Sequence, residues 1–391
     1  MTRRPRLLHV TTTDISLVTL LGPQLRAFRA AGYDVVTASA PGRWVEQLDG
    51  WDIPHRALAH ATRAVAPQRD VLALRELYSL FRELRPDIVH THNPKPGVYG
   101  RIGARAARVP AVVHTCHGLY ALPEDRLAKR AAVYTLERIA ATCSDAELVQ
   151  NPEDLEVLRR LRIPGRKLHL LGNGIDLARF DPERAGRDRA GTRAALGVRD
   201  DEIVCGVVGR LVWQKGYREV FDAAARLRTL APSVRVVVIG PGDDGKADAV
   251  TAADIAAAER DGGVTFLGLR DDVEALYSAM DVFALATYRE GFPRAAMEAA
   301  AMGVPVVATD VRGCRQVVDD GVTGTLVPVR DAGALAGAIA ALAREPETRR
   351  RMGAAAREKA RREFDQRHVI ELTLGVYDRL LHAGQPMARV A

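Results

Sequence analysis

The sequence predicts an α/β protein made of two doubly wound, Rossmann-like domains with a cleft between them. Its 391 residues are enough for two domains, and its 47% hydrophobic content is ordinary for a globular protein. Short apolar segments alternate with helical ones, an order that forms a parallel sheet covered on both faces. Because this order starts again near residues 172–174, we predict domains at 1–172 and 173–364, with a C-terminal helical segment, 365–391, packing back toward the first.

The first domain contains several alternating elements in this interpretation. Apolar, β-branched segments predict strands at 6–10, 33–38, 87–90, 111–114, 146–149 and 167–171. Apolar residues at helical spacing predict helices at 20–31, 72–84 and 97–107. Gly32 and Pro86 follow the first two helices and end them.

The second domain repeats the alternation. Strands are predicted at 202–209, 234–239, 264–267, 282–285, 304–308 and 325–327, and helices at 217–227, 273–279, 293–302 and 334–343. A last helix at 365–381 has apolar residues at helical spacing and is expected to brace the two domains. Ligands of open α/β sheets bind beyond the carboxyl ends of the strands, so the functional residues are sought there.

Cysteine and charge usage narrow the class of protein. The four cysteines lie far apart without metal-ligand spacing, which favours a reducing compartment and no structural metal. The apolar stretch 7–10 is too short for a signal-peptide core, so we expect a cytoplasmic location. Residues 1–172 contain 25 Lys and Arg against 17 Asp and Glu, whereas the remainder contains 31 against 32. This excess indicates either solvated helix faces or contact with something anionic, such as a diphosphate-bearing acceptor or the inner face of the membrane; no nucleic-acid partner is expected, because the cations are not interleaved with aromatics.

The most specific motif runs from Glu290 to Glu298, between a predicted strand and a helix. Amide groups at a helix start favour negative charge, and Gly291 permits close approach of a phosphate. Glu290 precedes the helix and Glu298 lies about two turns into it, so the two carboxylates reach different parts of one ligand. The alternative is an ordinary strand–helix turn with a surface glutamate.

A second motif is the glycine-bounded loop from Gly209 to Gly216. Its Arg210 and Lys215 flank a predicted helix start, where a guanidinium and an ammonium suit a diphosphate. The loop lacks the GxxxxGK[ST] pattern of a P-loop. A basic loop exposed to solvent is the alternative.

A third group consists of histidines that are expected just past two strands of the first half: His90, His92, His114 and His117. No carboxylate or thiolate accompanies them at ligand spacing, so a metal site is disfavoured. One histidine that acts as a base or hydrogen-bond partner, or plain packing, explains them better.

Together these motifs resemble the retaining GT-B glycosyltransferases of glycosyltransferase family 4 (GT4) over nearly the whole chain. The resemblance implies that Glu298 holds the donor ribose, Glu290 contacts the transferred sugar, and His117 lies near the reacting sugar. It assigns the diphosphate to Arg210 and Lys215. The run of Gly291, Phe292, Pro293 and Arg294 would bind the sugar and diphosphate through the backbone amides that it offers, and the nucleotide base would lie near Gly240, Gly242, Leu269 and Arg270.

Two further features refine the resemblance. The chain has no Asp-x-Asp, the motif by which other glycosyltransferases hold the donor through a divalent cation, so no metal and no other cofactor is implied. Segments 89–97, 113–118 and 309–313 resemble the branch that acts on polyprenyl-diphosphate-linked sugars. That likeness implies an acceptor site with Thr12, Asp14, His92 and Lys95, although 11–16 replaces the usual Gly-Gly loop.

The sequence therefore predicts a metal-independent, retaining glycosyltransferase. It would move a hexose or N-acetylhexosamine from a nucleotide diphosphate sugar, with UDP favoured on family frequency, to a lipid-linked or polysaccharide-precursor acceptor in cell-envelope glycan synthesis. Three alternatives stay open: a glycosyltransferase of a soluble secondary metabolite, an epimerase of the UDP-GlcNAc 2-epimerase type, and a non-catalytic nucleotide-sugar binding protein.

Overall fold

The computed structural model describes residues 3–62, 66–122, 125–185, 188–243 and 248–382. The chain divides into two compact units. The first comprises Met1–Leu171 with Arg367–Ala391, and the second is Gly172–Gln366. Among the described residues, no helix combines the length and the apolar character needed to cross a bilayer.

The first unit contains a parallel sheet of seven strands in the order β3-β2-β1-β4-β5-β6-β7. Neighbouring residues Leu7 and Leu8 of its first strand belong to different core clusters, so helices cover both faces. The strand bounds are β1 (Arg6–Thr13), β2 (Asp34–Ala40), β3 (His55–Ala57), β4 (Ile88–His92), β5 (Ala111–Cys116), β6 (Ala146–Val149) and β7 (Leu168–Leu170).

The helices of this unit lie between those strands, apart from the last, which returns from the far end of the chain. Tyr377 of that helix packs edge-on against Phe28 at 5.3 Å between ring centroids, and Asp378 accepts a hydrogen bond from Tyr33 at 3.0 Å. The bounds are α1 (Gly22–Ala30), α2 (Val45–Gly50), α3 (Pro67–Leu84), α4 (Pro94–Ala106), α5 (Leu127–Thr142), α6 (Pro152–Arg160) and α16 (Gln366–His382). Residues 383–391 of the predicted segment 365–391 lie outside the described residues.

The second unit contains a parallel sheet of six strands in the order β10-β9-β8-β11-β12-β13. Its strands are β8 (Ile203–Val208), β9 (Val234–Ile239), β10 (Thr265–Phe266), β11 (Val282–Leu285), β12 (Val306–Thr309) and β13 (Gly324–Val327). Its helices are α7 (Pro182–Ala185), α8 (Arg189–Ala195), α9 (Tyr217–Leu230), α10 (Ala252–Gly262), α11 (Val273–Ala279), α12 (Arg294–Ala301), α13 (Cys314–Val317), α14 (Ala332–Arg344) and α15 (Pro346–Glu363). The predicted α/β class with two Rossmann-like sheets is confirmed.

The two segments that connect the units run side by side. The Ile175 amide donates to the Phe364 carbonyl at 2.9 Å, and the Gln366 amide donates to the Ile175 carbonyl at 3.0 Å. Gly174 allows this approach, since a Cβ there would lie 2.5 Å from the Cα of Gln366. The chain thus enters and leaves the second unit at one place.

Several element predictions need correction. The predicted helix 20–31 is shorter in the structure, where α1 begins at Gly22 with Pro23 in its first turn, and a π-helical turn, Ser16–Leu20, precedes it. The strands predicted at 87–90 and 111–114 extend to His92 and Cys116, whose side chains are buried. His90, His92 and His114 therefore lie within strands, and only His117 follows one.

Candidate functional site

The predicted site residues lie at the point in each sheet where the strand order reverses. In the second unit β8 lies between β9 and β11, so the connections after β8 and β11 depart to opposite sides and leave a crevice at their carboxyl ends. The segments 209–216 and 286–293 begin there. In the first unit the strand order reverses between β1 and β4, which end at Thr13 and His92.

The loop 209–216 is held against the loop after β11. Gly216, with φ +76°, starts α9, and any side chain there would collide with the carbonyl of Ala286. The Tyr288 amide donates to the Gln214 carbonyl at 3.0 Å. These backbone contacts fix the position of Lys215, which lies between Gln214 and Gly216.

Lys215 forms an ion pair with Glu290. The loop after β12 closes on the same point, since a Cβ at Gly313 would lie 2.8 Å from the backbone of Glu290. Three strand–helix connections therefore converge on this ion pair. The structure brings together the two motifs that the sequence analysis singled out separately.

Arg210 has an acidic partner that the sequence analysis missed. Its guanidinium donates to Asp243 at 2.5 Å, and both side chains are partly exposed. Gly240, with φ +149°, lies against the Gly209 carbonyl, and its amide donates to Gly268 at 2.8 Å. The connections after β8, β9 and β10 are thereby tied together beside Arg210.

The helix α12 begins at Arg294, immediately after Pro293. Within it Glu298 accepts a hydrogen bond from the Tyr277 hydroxyl at 3.0 Å. Burial raises the pKa of Glu298, against opposing effects from Arg294, the Tyr277 hydrogen bond and Arg179. Burial and the Glu298 charge hold the pKa of Tyr277 well above its usual value, so its hydroxyl stays protonated and donates.

The remaining predicted donor residues are distributed along the same edge. The Phe292 carbonyl accepts from the Asn173 side chain at 3.2 Å, and its ring packs edge-on against Phe364. Beyond β10, Leu269 is exposed, and Arg270 pairs with Asp272 at 2.6 Å. Gly242 forms a bridge with Leu211, and Gly291 lies between Glu290 and Phe292.

In the first unit three imidazoles form a hydrogen-bonded chain. Nδ1 of His9 lies 3.0 Å from Nε2 of His92, and Nδ1 of His92 lies 3.0 Å from Nε2 of His117. Burial lowers the pKa of His9 to about 3 and that of His92 well below its usual value. Burial also lowers the pKa of His117 to about 4, against the opposing effect of the nearby Gln150 side chain. All three rings are therefore neutral near pH 7.

The two ends of the histidine chain are equivalent. Nε2 of His9 and Nδ1 of His117 are both buried without a hydrogen-bond partner in the described part of the protein. Whichever way the three neutral rings carry their protons, one end is an unpaired N–H and the other an unpaired acceptor nitrogen.

The other two histidines are held by neighbouring side chains. Both nitrogens of His90 have partners, the Tyr377 hydroxyl at 2.5 Å and the Thr115 hydroxyl at 2.7 Å. Nδ1 of His114 lies 3.0 Å from the Thr91 hydroxyl. These two residues fix strands and α16 rather than offering free groups.

Two clusters have the composition of metal sites, but their atoms are engaged. His9, His90 and His92 lie close together with ring centroids 4.2 to 5.2 Å apart, His9 stacked on His92 and His90 tilted against both. Both nitrogens of His90, both nitrogens of His92 and Nδ1 of His9 already have hydrogen-bond partners. His114 lies near two glutamates that sequence spacing did not reveal. There the Arg101 guanidinium already occupies the cation position, at 2.8 Å from Glu137 and 2.7 Å from Glu147.

The predicted acceptor residues are only partly brought together. Thr12 and Lys95 line one small pocket, where Lys95 pairs with Asp70 at 2.6 Å and Tyr99 lies alongside. Burial alone would raise the pKa of Asp70, but the hydrogen bonds from Lys95 and Tyr99 outweigh it and lower that pKa. Asp14 lies outside this pocket, and its carboxylate accepts the amides of Ile15 and Trp44 at 2.8 Å each. His92 belongs to the imidazole chain described above.

Two family models match the chain. The one described as Glycosyltransferase Family 4 matches residues 24–179, and the one described as Glycosyl transferases group 1 matches residues 188–359. Over 275 residues, 69% of each chain, the sequence is 32% identical to a UDP-Gal:alpha-D-GlcNAc-diphosphoundecaprenol alpha-1,3-galactosyltransferase of Escherichia coli. The chain belongs to glycosyltransferase family 4.

Other similarities of this glycosyltransferase extend over almost its full length. It is 26% identical over 385 residues to the capsular polysaccharide biosynthesis glycosyltransferase CapM of Staphylococcus aureus, covering 97% of this chain and 98% of the relative. Its fold matches Anabaena HepE in complex with UDP with a TM-score of 0.79 at 20% identity, over 96% and 99% of the two chains. The resemblance to family 4 and the GT-B fold class are confirmed.

Sequence reasoning missed three side chains of this glycosyltransferase's candidate site. Tyr277 lies in the predicted helix 273–279 without being part of a motif, and Asp243 lies in a loop without a recognisable motif. His9 was included only as part of a predicted strand. A polar residue within a short apolar strand was the available signal for His9, because burying an imidazole there requires hydrogen-bond partners.

Proposed function

We propose that this glycosyltransferase moves a hexose or N-acetylhexosamine from a UDP sugar, with retention, to a lipid-linked or polysaccharide-precursor acceptor in cell-envelope glycan synthesis. The convergence of Lys215 and Glu290 beside the start of α12, at the carboxyl edge of the second sheet, carries the proposal. A cation, a carboxylate and helix-terminal amides are the groups that suit a diphosphate sugar.

In this proposal the second unit binds the donor. Arg210 and Lys215 hold the diphosphate, which competes with the carboxylates that pair with them in the structure. Glu298, oriented by Tyr277, accepts hydrogen bonds from the ribose hydroxyls of the donor. The nucleotide base is surrounded by the connections that contain Gly240, Gly242, Leu269 and Arg270. The UDP donor named for the Escherichia coli relative and the UDP in the HepE structure support the choice of nucleotide.

We assign a same-face reaction course. The bond between the anomeric carbon and the diphosphate oxygen breaks, and the acceptor oxygen bonds to the face that the diphosphate leaves. The acceptor proton passes to the departing β-phosphate oxygen. Arg210, Lys215 and the amides before α12 stabilise the charge that develops on the leaving group. Because Glu290 is paired with Lys215, we assign it hydrogen bonds to sugar hydroxyls rather than attack on the anomeric carbon.

The proposal requires neither a metal nor another cofactor. Two cationic side chains and a helix start are available for the donor charge, and the sequence lacks the Asp-x-Asp motif by which other glycosyltransferases hold the donor through a divalent cation. His117 would orient the sugar and stabilise positive charge through its backbone or ring, without acting as the main base.

The acceptor is assigned to the first unit. Thr12, Asp14, His92 and Lys95 belong to β1, β4 and the segments that follow them. The diphosphoundecaprenol substrate named for the Escherichia coli relative, and the capsular polysaccharide named for CapM, support a lipid-linked or polysaccharide-precursor acceptor. We therefore place the protein in the cytoplasm, in peripheral contact with the inner face of the membrane.

The test is transfer from radiolabelled UDP-glucose, UDP-galactose and UDP-N-acetylglucosamine to a short-chain polyprenyl diphosphate N-acetylglucosamine. We expect acceptor-dependent turnover that survives EDTA, and a product whose anomeric configuration, determined by NMR, matches the donor. An inverted product would overturn the reaction course, and activity lost to EDTA and restored by Mg²⁺ or Mn²⁺ would overturn the metal-free assignment. Donor hydrolysis or epimerisation that ignores every acceptor would favour a different enzyme class.

Asp243→Asn is expected to strengthen donor binding. The carboxylate of Asp243 competes with the diphosphate for Arg210, and a partly exposed ion pair contributes up to about 1 kcal/mol. The Kd for UDP, measured by calorimetry, should therefore fall about two- to fivefold.

Asp222→Asn is the matched control for this change, because Asp222 pairs with Arg226 on the exposed side of α9. It should leave the Kd for UDP unchanged. Weaker UDP binding by the Asp243 variant would instead make Asp243 a residue that positions Arg210.

A further inference from the structure

One helical layer of the first unit presents an unusual surface to solvent. It comprises α3, α4 and α5, with α4 in the middle, since α4 contacts both of the others. Of the twelve large hydrophobic side chains that are exposed in the described chain, seven belong to this layer or to the segment between β5 and α5. They are Val71, Leu72, Tyr78, Tyr120, Leu127, Leu136 and Ile139.

The exposed hydrophobic side chains are most evident on the solvent face of α5. Leu127 is 78% exposed, and Leu136 and Ile139 are about half exposed. The other exposed residues of the helix are Ala128, Ala131, Ala132, Thr135, Arg138 and Thr142. A helix that borders water normally turns charged residues outward, but among the fully exposed residues of α5 only Arg138 is charged, while Lys129 is partly exposed and paired with Asp125.

The acidic residues of this layer are paired, whereas several of its arginines are not. The acidic residues of α3 are engaged, Asp70 by Lys95, Glu76 by the amides of Ala59 and His60, and Glu83 by Arg56. On α5, Glu137 is paired with the buried Arg101. In contrast, five exposed arginines have no acidic partner within the described ranges: Arg69, Arg75, Arg82, Arg126 and Arg138.

On α3 the exposed apolar side chains and the unpaired arginines lie on one face of the helix. Val71, Arg75, Tyr78 and Arg82 follow each other at intervals of four, three and four residues, so they lie along one helix face, and all four are exposed. Apolar side chains between unpaired cations, with aromatic rings among them, are typical of surfaces that rest on lipid head groups.

We propose that the outer face of α3 and α5, the α3–α5 surface, docks on an anionic lipid surface. The apolar side chains enter the head-group region, and the arginines pair with lipid phosphates. This inference rests on the proposed function, since a lipid-linked acceptor is reached at a membrane. A second copy of the chain is a poorer occupant, because a twofold contact would bring the unpaired arginines of both copies into one interface.

The experiment is flotation of the full chain with vesicles, without donor or acceptor. We expect binding to phosphatidylcholine–phosphatidylglycerol vesicles that weakens as salt rises, and little binding to phosphatidylcholine alone. The double variant Arg75→Glu, Arg138→Glu should bind the anionic vesicles at least about tenfold more weakly, because each cation near the surface contributes to the partition coefficient. The pair Leu127→Ser, Ile139→Ser should reduce the binding that persists at high salt.

The matched control is Arg350→Glu, Arg351→Glu, two exposed arginines on α15 of the second unit, which should bind like the parent protein. Equal losses in control and test variants, or equal binding to neutral and anionic vesicles, would overturn the proposal. A dimer seen by ultracentrifugation and abolished by the α3–α5 changes would also overturn it, in favour of a self-interface. Transfer to a water-soluble acceptor should be unaffected by the charge reversals, so a failure of docking and a failure of the proposed activity are separable.

Discussion

Lys215→Ala is expected to lower kcat by about 10²-fold or more, the range found when a group that stabilises transition-state charge is removed. Lys215 has two functions in the proposed site. It meets the diphosphate as charge develops on the leaving group, and in the structure it holds the carboxylate of Glu290. Lys215→Arg keeps the charge but not the compact ammonium, so only part of the activity should return. Initial rates with saturating UDP sugar measure the effect.

The control for Lys215 is Arg226→Ala, which removes an ion-paired cation from the exposed side of α9 and should leave kcat unchanged. A double-mutant cycle with Glu290→Ala separates the two functions of Lys215. If its main function is to hold Glu290, the double variant should lose little beyond the worse single variant. Near-wild-type turnover of Lys215→Ala would show that the loop 209–216 is solvated surface.

Glu290→Ala is expected to lower kcat by about 10²-fold while changing donor binding much less. Contacts to the sugar shift as its ring flattens, so the loss falls on the transition state. Glu290→Gln should keep part of the activity, because the amide oxygen still accepts a hydrogen bond from Lys215 or from a sugar hydroxyl. Steady-state kinetics of both variants provide the measurement.

Glu298→Ala is the comparison variant for Glu290. Ribose contacts change little along the reaction, so this change should chiefly raise KM for the donor and leave kcat near the parent value. The opposite division, a binding defect for Glu290 and a turnover defect for Glu298, would exchange their assigned roles. A trapped glycosyl adduct on Glu290 would replace same-face attack with double displacement.

The parts that were predictable from the sequence are those in which local chemistry determines structure. The left-handed backbone at the start of α9 requires a glycine, which Gly216 supplies, and Lys215 beside it is therefore positioned by its own loop. The run from Glu290 to Glu298 follows a buried strand and opens a helix, as its spacing predicts. Both motifs lie at the carboxyl edge of a sheet, which follows from the alternation of strands and helices.

The parts that were missed depend on contacts between distant segments. Tyr277 acquires its partner Glu298 only when α11 packs beside α12. The three histidines His9, His92 and His117 come from β1, β4 and the residue after β5, and they meet only when these strands pair. Pairing of Arg210 with Asp243 links two loops in the same way. The helix α5 escaped recognition for another reason, because a helix with an apolar solvent face lacks the contrast on which periodicity depends.

The two segments that connect the units are bridged at Ile175 and Asp365, and this arrangement determines the order in which the chain is able to fold during synthesis. The helix α16 completes the core around Phe28 and His90, yet it is translated after the whole second unit. Bringing it back through an unfolded second unit would cost the closure entropy of a loop of that length. Once the second unit has folded, its first and last residues are adjacent, and the loop that remains to be closed is short. We therefore expect a nascent first unit to wait, incomplete, until the second unit has folded and delivered its last helix.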